Sequence, residues 1–175
     1  MTTEYLLWRE MEHVLAALTP ANRLVCQVCV ATGLRVGDVV AFRSDHIGRQ
    51  FWITEQKTRK KRRVNLTKEL LAALEAQKGA VWVFENARDP DKHRTRQAVW
   101  RDVKRAAKAF RLPQNVGVHS LRKVYAVEQL SKSRGNVAKV QRILNHADIS
   151  TTMIYAMAYQ LYLSKYGNNR IGHGR

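Results

Sequence analysis

The chain has 175 residues, about the length of one domain. Its 45% hydrophobic and 26% charged composition is typical of a folded globular protein rather than a disordered one. Lys and Arg number 31 against 14 Asp and Glu, which gives a formal net charge of +17 and a sequence pI near 10.5. An excess of this size makes a polyanion the first partner to expect, with nucleic acid the leading class.

The same composition argues against several other classes of protein. No stretch reaches the roughly 18 apolar residues that a membrane-spanning helix needs, and the start Met1–Glu4 lacks the pattern of a signal peptide. Cys26 and Cys29 could be half of a zinc site, but no second pair completes it, so two buried thiols on one helix are favoured. We therefore expect a cytoplasmic protein, associated with the nucleoid if bacterial, with no membrane partner.

The first third of the chain predicts three helices. Apolar residues at helical spacing indicate the first, Thr19-Pro20 is typical of a helix start, and Gly33 is placed to end the second helix. The predicted ranges are 4–18, 21–32 and 37–42.

The remainder predicts a small antiparallel sheet followed by helices. Two strands flank a basic turn at 56–61, Thr67 begins a helix, and proline or glycine separates the later helices. The predicted strands are 51–55, 62–66 and 81–84, and the predicted helices are 68–77, 96–110, 120–131, 136–145 and 150–165. The expected fold class is mainly α with a small antiparallel β-sheet (α+β).

Positive charge is concentrated in two segments. Six of the seven residues Lys57–Arg63 are Lys or Arg, and residues Arg88–Arg111 include nine basic and three acidic residues. Because both segments fall on predicted folded elements, they fit a surface that follows a phosphate backbone better than a disordered tail.

Four motifs, in order, resemble those of one family. Ala31–Asp38 (ATGLRVGD) is similar to the first arginine box of the tyrosine recombinases, the phage-integrase and Xer-type family, and Gln56–Thr58 (QKT) to their lysine turn. His119–Arg122 (HSLR) resembles their HxxR box, and Leu144–Tyr155 (LNHADISTTMIY) their closing box. The order and spacing match from about residue 5 to residue 165. The resemblance implies the tyrosine-recombinase catalytic-domain fold.

The resemblance also implies a reaction. A tyrosine oxygen attacks a DNA phosphodiester and gives a 3′-phosphotyrosyl link and a free 5′-hydroxyl, without metal, ATP or another cofactor. The crowded phosphorus intermediate carries extra negative charge, which forked arginine donors match better than lysine does. The implied catalytic residues are Arg35, Lys57, His119, Arg122, His146 and Tyr155.

Each of these residues takes a role by resemblance. Tyr155 is the nucleophile, and its phenol needs a proton acceptor, for which His119 is the candidate. His146 would hydrogen-bond the phosphate. Lys57 would protonate the departing 5′-oxygen, although Lys60 on the same basic turn is an alternative.

One further residue is assigned a supporting role. Asp38, three residues beyond Arg35, is expected to orient the Arg35 guanidinium.

Taken singly, these residues have structural explanations. Arg35 and Asp38 could be a surface ion pair, His119 could cap a helix starting at Ser120, and His146 could end one. Tyr155 could be a core aromatic residue, as Tyr159 and Tyr162 in the same segment could be. The ordered set, including the nine-residue spacing from His146 to Tyr155, favours the catalytic interpretation.

The resemblance sets expectations for domains and partners. Residues 1–175 are expected to form a single catalytic domain with a basic tail at 167–175 and without the family's N-terminal domain; the chain is either cut from a longer protein or a single-domain member. The expected partner is double-stranded DNA. The protein is expected to be a monomer when free and a homotetramer on DNA, where accessory DNA-bending proteins are possible further partners. Whether the last helix packs on its own core or on a neighbour stays open. The expected DNA-binding residues are Lys60, Lys61, Arg62, Arg94, Arg96, Arg101, Lys104 and Lys123.

Two other functions compete with site-specific recombination. A non-catalytic DNA-binding regulator would suit the two helices of 120–145, which superficially resemble a helix-turn-helix. A type IB topoisomerase-like enzyme would relax DNA with the same chemistry. The sequence does not specify the target site or the direction of recombination.

Overall fold

The computed structural model describes residues 4–145 and 149–166, with eight helices and two small antiparallel sheets in that part of the chain. The helices are α1 (Trp8–Ala16), α2 (Pro20–Thr32), α3 (Val36–Val40), α4 (Lys68–Gln77), α5 (Arg96–Ala109), α6 (Val118–Lys132), α7 (Val137–Ile143) and α8 (Ile149–Tyr166). The strands are β1 (Gln50–Thr54), β2 (Lys61–Asn65), β3 (Glu85–Asn86) and β4 (Asp89–His93). The predicted mainly α class with a small antiparallel sheet is confirmed. The predicted tail at 167–175 lies outside the described residues.

The first helix is shorter than predicted. It starts at Trp8 because the Glu10 carboxylate accepts the backbone N–H of Leu7 at 2.8 Å and so caps the helix there. The preceding residues run extended, and the Glu4 N–H donates to the Asn115 carbonyl at 3.1 Å. The prediction of a helix from residue 4 was therefore wrong at its beginning.

The start of α2 at Pro20 is confirmed, but Thr19 acts through another partner. Its hydroxyl donates to the Asp102 carboxylate of α5 at 2.9 Å instead of capping its own helix. Burial disfavours the Asp102 charge, yet hydrogen bonds from Asn22, Thr19 and Arg105 outweigh it and hold the pKa of Asp102 at about 2. This carboxylate therefore joins α5 to the start of α2.

Gly33 ends α2 in a conformation that only glycine adopts easily. Its φ is +67°, and its N–H donates to the Cys29 carbonyl at 2.8 Å. A Cβ at this position would lie 2.3 Å from the Tyr125 ring. The reversal at Gly33 therefore brings α6 against the end of α2 and directs the chain toward Arg35.

We expect Gly33→Ala to lower the free energy of unfolding by about 2–4 kcal/mol, from left-handed backbone strain plus overpacking against Tyr125. Gly135→Ala is the matched control, because Gly135 also has positive φ (+82°) but nothing within 4 Å of a Cβ. It should show only the strain, about 1–2 kcal/mol. Urea denaturation of both variants measures the difference, and equal losses would contradict the close packing at Gly33.

The first predicted hairpin is confirmed, but the third strand is misplaced. β1 and β2 pair with Phe51 opposite Val64 and Thr54 opposite Lys61. The expected strand at 81–84 supplies only an isolated bridge, Arg43 to Trp82, and buries Val83 and Phe84. The second sheet is instead the hairpin of β3 and β4, whose sequence Asp-Pro-Asp-Lys-His in β4 has no apolar alternation to predict it.

Two clusters of buried side chains form the core. The larger joins α1–α6 with Val64 of β2, while the smaller joins α6, α7 and α8 around Leu130, Leu144 and Tyr155. Cys26 and Cys29 are free and buried on α2, as predicted, and burial raises the pKa of both thiols. Among the helices described, none is long and apolar enough to cross a membrane.

Candidate active site

Arg35 stands at the N-terminus of α3, directly after the Gly33 reversal. Its guanidinium is mostly enclosed and donates from Nη1 to the Glu55 carboxylate, with 2.9 Å between Nη1 and Oε2. The adjacent Leu34 is buried in the core and fixes the backbone at this point. The structure therefore supplies Arg35 with a carboxylate partner twenty residues along the chain.

Glu55 is the functional residue that sequence reasoning missed. It follows β1, has no exposed surface, and binds the two guanidiniums of Arg35 and Arg62 (Oε1–Nη1 3.2 Å) as well as the Thr58 hydroxyl at 2.7 Å. Burial opposes its charge, but the bonds from Thr58, Arg35 and Arg62 prevail and lower the pKa of Glu55. One signal pointed to it: between Asp45 and Glu69 it is the only acidic residue, inside the most basic segment of the chain.

Asp38, which was expected to orient Arg35, makes no hydrogen bond to it among the described residues; Glu55 does. Its Oδ1 instead accepts the backbone N–H of Gln56 at 2.9 Å, while Oδ2 is buried without a hydrogen-bond partner among the described residues. Burial raises the pKa of Asp38, and the Gln56 N–H offsets part of this rise. Asp38 therefore anchors the beginning of the lysine turn, through the Gln56 N–H.

The lysine turn connects β1 to β2 and distinguishes the two candidate lysines. It is closed by bonds from the Glu55 N–H to the Lys60 carbonyl (3.0 Å) and from the Arg59 N–H to the Glu55 carbonyl (2.9 Å). Arg59 takes a left-handed conformation with φ +56°. In this geometry Lys57 lines the active-site cleft, whereas Lys60 does not.

Arg122 is buried on α6 between two backbone carbonyls. Its Nη1 donates to the Gly33 carbonyl at 2.6 Å and its Nη2 to the Leu144 carbonyl. Burial, together with the charges of Arg35 and Arg62, lowers the pKa of Arg122 to about 10. Because an arginine has five N–H donors in a rigid fork, the two carbonyls fix its orientation and leave donors for a ligand.

His119 lies one turn before Arg122, on the side of α6 that faces the cleft. The helix begins at Val118 after Gly117, so His119 is inside the first turn and does not cap it. Partial enclosure and the positive charges of Arg122, Arg35 and Lys57 lower the pKa of His119. The imidazole is therefore neutral at pH 7 and able to accept a proton.

Tyr155 is buried on α8 next to Arg122. Its phenol is hydrogen-bonded to the Arg122 side chain, and burial raises the pKa of Tyr155 while the charges of Arg122 and Arg35 oppose that rise. Tyr159 packs against the same core cluster. His146 and the side chain of Tyr162 lie outside the described residues.

Four of these side chains converge on one cleft of about 630 Å³, while Tyr155 is not among its lining residues and adjoins it through Arg122. Arg35, Lys57, His119 and Arg122 all line it, although 87 residues separate the first from the last in sequence. The other residues that line it are Leu34, Val36, Gly37, Asp38, Gln56, Arg96, Gln97, Trp100 and Val118. Two arginines, a lysine and a neutral histidine beside a buried phenol can hold a phosphate and move protons around it.

The basic residues expected to bind DNA divide into exposed and engaged ones. Lys60, Lys61, Arg96 and Arg101 are exposed. Arg94 donates to the Asn22 side chain at 3.3 Å, Lys104 to that of Asn115 at 2.7 Å, and Lys123 is half-buried. Lys104 also lies 5.9 Å from the ring centre of Trp100, an exposed residue at the cleft that the sequence did not single out.

Arg62 requires a correction. We expected it on the DNA-binding surface, but its guanidinium is nearly buried, paired with Glu55 and bound to the Thr32 carbonyl. The alternation of β2 turns Arg62 inward, toward Glu55, while Lys61 and Arg63 face outward. Arg62 thus supports the position of Glu55.

The described residues contain no group of three or more His, Cys, Asp or Glu side chains placed to hold a metal ion. The acidic residues at the cleft, Asp38 and the adjoining Glu55, are each occupied by protein donors.

Comparison with known proteins shows the family of the chain. The profile of the Phage integrase family matches residues 4–161. The integrase of Escherichia phage P2 is 30% identical over 162 residues, which are 92% of this chain and 45% of the phage protein. The chain thus spans about half the length of this curated relative.

Solved structures show the same fold at low identity. The XerH site-specific recombinase, solved with palindromic difH substrate as a post-cleavage complex, superposes with a TM-score of 0.73 at 21% identity, covering 97% of this chain and 54% of that one. A lambda integrase dimer bound to a COC′ core site gives a TM-score of 0.70 at 21% identity, covering 98% and 62%. The catalytic-domain fold expected from the sequence is confirmed.

Proposed function

The chain belongs to the phage integrase family, and from this premise we propose that it is the catalytic part of a site-specific tyrosine recombinase. It cleaves and rejoins DNA through a 3′-phosphotyrosyl intermediate. The observation that carries the proposal is the convergence of Arg35, Lys57, His119 and Arg122 on one cleft beside the phenol of Tyr155.

The cleavage step follows from the positions of these groups. The Tyr155 oxygen attacks the scissile phosphorus and forms a new O–P bond, while the bond from phosphorus to the 5′-oxygen breaks. His119, neutral at pH 7, accepts the phenol proton, and Lys57 on its exposed turn gives a proton to the departing 5′-oxygen. Rejoining is the reverse, with a 5′-hydroxyl as the attacking group.

The two arginines stabilise the charge that develops on phosphorus. Arg35 and Arg122 donate to the non-bridging oxygens from orientations set in advance by Glu55 and by the Gly33 and Leu144 carbonyls. Donors that are already oriented need little reorganisation during the reaction, which is the main source of such stabilisation. Their fixed charges reduce the demand for a metal ion at the phosphate.

We expect the cleavage rate at subsaturating enzyme to fall as the pH drops below the lowered pKa of His119, about tenfold per pH unit. The protonated imidazole cannot accept the phenol proton, so the midpoint of this loss should lie below the usual histidine value of about 6.5. Single-turnover rates from pH 5 to 8 measure it, and His119→Gln should be slow and lose the acid limb. An unchanged limb in that variant would assign the proton to another group.

The partners proposed are double-stranded DNA and further copies of this chain. The net charge of +17 and the basic cleft support DNA. The XerH complex, solved with its difH substrate, supports DNA as the partner, and the lambda integrase dimer on a core site supports a binding mode with more than one copy per site. A tetramer on two duplexes, with or without DNA-bending proteins, is the assembly that strand exchange would use.

Covalent trapping on nicked duplexes tests the proposed function. Duplexes from DNA flanking the gene carry a nick near each candidate site, so that the short cleaved piece diffuses away and the adduct accumulates. An SDS-resistant protein–DNA band in EDTA, with the adduct mapped by mass spectrometry, is the expected result. Salt-sensitive binding without a band on every duplex would favour a DNA-binding regulator, and relaxation of supercoiled plasmid without exchange a topoisomerase.

A further inference from the structure

A second cleft, of about 460 Å³, lies where β2 meets the C-terminal end of α2 and helices α6 and α7. It shares no residue with the active-site cleft. Its lining residues are Ala31, Thr32, Lys61, Arg62, Arg63, Val64, Asn65, Tyr125, Arg142, Ile143 and Asn145. Four of these are cationic, and no aspartate or glutamate is among the described residues that line it.

The positive charge of this second cleft is largely uncompensated. Arg62 is neutralised by Glu55, but Arg63 donates to the neutral amide of Gln50, and no ion pair in the described part of the chain involves Arg63, Lys61 or Arg142. Three like charges held around one cavity repel one another, and an anion placed among them removes that repulsion. Amide groups of Asn65 and Asn145 add neutral donors.

The second cleft is connected to the active site through one carboxylate. Glu55 holds Arg35 of the active-site cleft with one oxygen and Arg62 of the second cleft with the other. The consecutive carbonyls of Thr32 and Gly33 likewise hold Arg62 and Arg122. The two clefts are therefore neighbours, separated by a single layer of charged side chains.

We propose that the second cleft binds a phosphate group, and that this is a backbone phosphate of the same DNA whose neighbouring phosphate enters the active site. The identity of the DNA as substrate rests on the proposed function. Each strand of duplex DNA carries one charge about every 3.4 Å along the axis, so a strand with one phosphate in the active-site cleft presents further phosphates to the surface beside it. Forked guanidiniums such as those of Arg63 and Arg142 bind phosphate oxygens in pairs.

The test uses two exposed residues of the second cleft that have no role in the cleavage chemistry. Lys61→Gln and Arg142→Gln each remove one charge, and the double variant removes two. Arg9→Gln, on the exposed face of α1, is the matched control because Arg9 lines neither cleft. Affinity for a 30-base-pair duplex is measured between 50 and 300 mM salt. Each variant of the second cleft should lower the slope of log affinity against log salt by about 1, the double variant by about 2, and the control by nothing.

A second arm separates DNA phosphate from a free phosphate compound. Tripolyphosphate is titrated into the wild type and the double variant by calorimetry at constant ionic strength. Reduced salt slopes without tripolyphosphate binding support the DNA assignment. Unchanged slopes with tripolyphosphate bound only by the wild type would overturn it in favour of a soluble phosphate ligand.

Unchanged slopes and no tripolyphosphate binding would overturn the second cleft as a phosphate site altogether. Equal unfolding midpoints for the variants and the wild type verify that the folded state is intact. The salt slope requires no strand cleavage, so failure of covalent trapping would contradict the proposed function without altering this result.

Discussion

Tyr155→Phe is expected to abolish the covalent protein–DNA adduct. Affinity for DNA should stay within about twofold, because the substitution removes none of the basic side chains that bind phosphate. The phenol oxygen is the proposed attacking atom, and it is hydrogen-bonded to the Arg122 side chain. Phenylalanine keeps the ring in the core cluster with Leu130 and Leu144. Only the hydroxyl and its bond to Arg122 disappear, so the free energy of unfolding should change by about 1 kcal/mol.

Tyr159→Phe is the matched control for this experiment. Tyr159 is one turn along α8 and packs against the same cluster, so the substitution removes the same hydroxyl from the same helix. The control should form the adduct at the wild-type rate. An SDS-resistant band that persists in Tyr155→Phe but disappears in Tyr159→Phe would move the nucleophile to the second tyrosine.

Glu55→Gln is expected to have the second large effect, on both stability and chemistry. The substitution keeps the shape of the side chain but leaves Arg35 and Arg62 enclosed without a counter-charge. Breaking a buried ion pair in this way lowers the free energy of unfolding by about 3–5 kcal/mol. Adduct formation should fall by about 100-fold or more, because Arg35 loses the partner that aims it at the phosphate.

Two measurements separate these effects. Urea denaturation gives the stability, and trapping is done at low temperature, where the variant is folded. Glu69→Gln, an exposed carboxylate in the first turn of α4, is the control and should lower stability by no more than about 1 kcal/mol, through its favourable place at the helix N-terminus. A Glu55→Gln protein with wild-type stability and adduct rate would show that the ion pairs of Glu55 with Arg35 and Arg62 contribute neither to stability nor to DNA cleavage.

The same carboxylate predicts the direction of the acid dependence of stability. The pKa of Glu55 in the folded protein lies below its usual value of 4.5. Its contribution is therefore complete above that value and is lost as the pH falls through the folded pKa. The Glu55→Gln variant should lose less stability than the wild type between pH 5 and 3.

Single residues in the sequence predicted the two ends of α2 correctly. Pro20 begins α2 and Gly33 ends it, because a fixed φ and a left-handed φ are properties of single residues. The hairpin of β1 and β2 was predicted because two strand segments flank a basic turn at close range in the sequence. The hairpin of β3 and β4 was not, since its strands are short and polar and have no apolar face.

The amino-acid sequence alone determined the charge of the protein, its fold class and the ordered set of arginine, lysine, histidine and tyrosine residues that resembles one family. Only the tertiary structure decided which carboxylate pairs with Arg35, which lysine lines the cleft, and that Arg62 turns inward. Partner choice depends on distance and burial, and Glu55 becomes a partner of Arg35 only when β1 is packed beside α3. A sequence pattern records which charges are present, whereas the fold decides which of them are removed from water together and must therefore compensate one another.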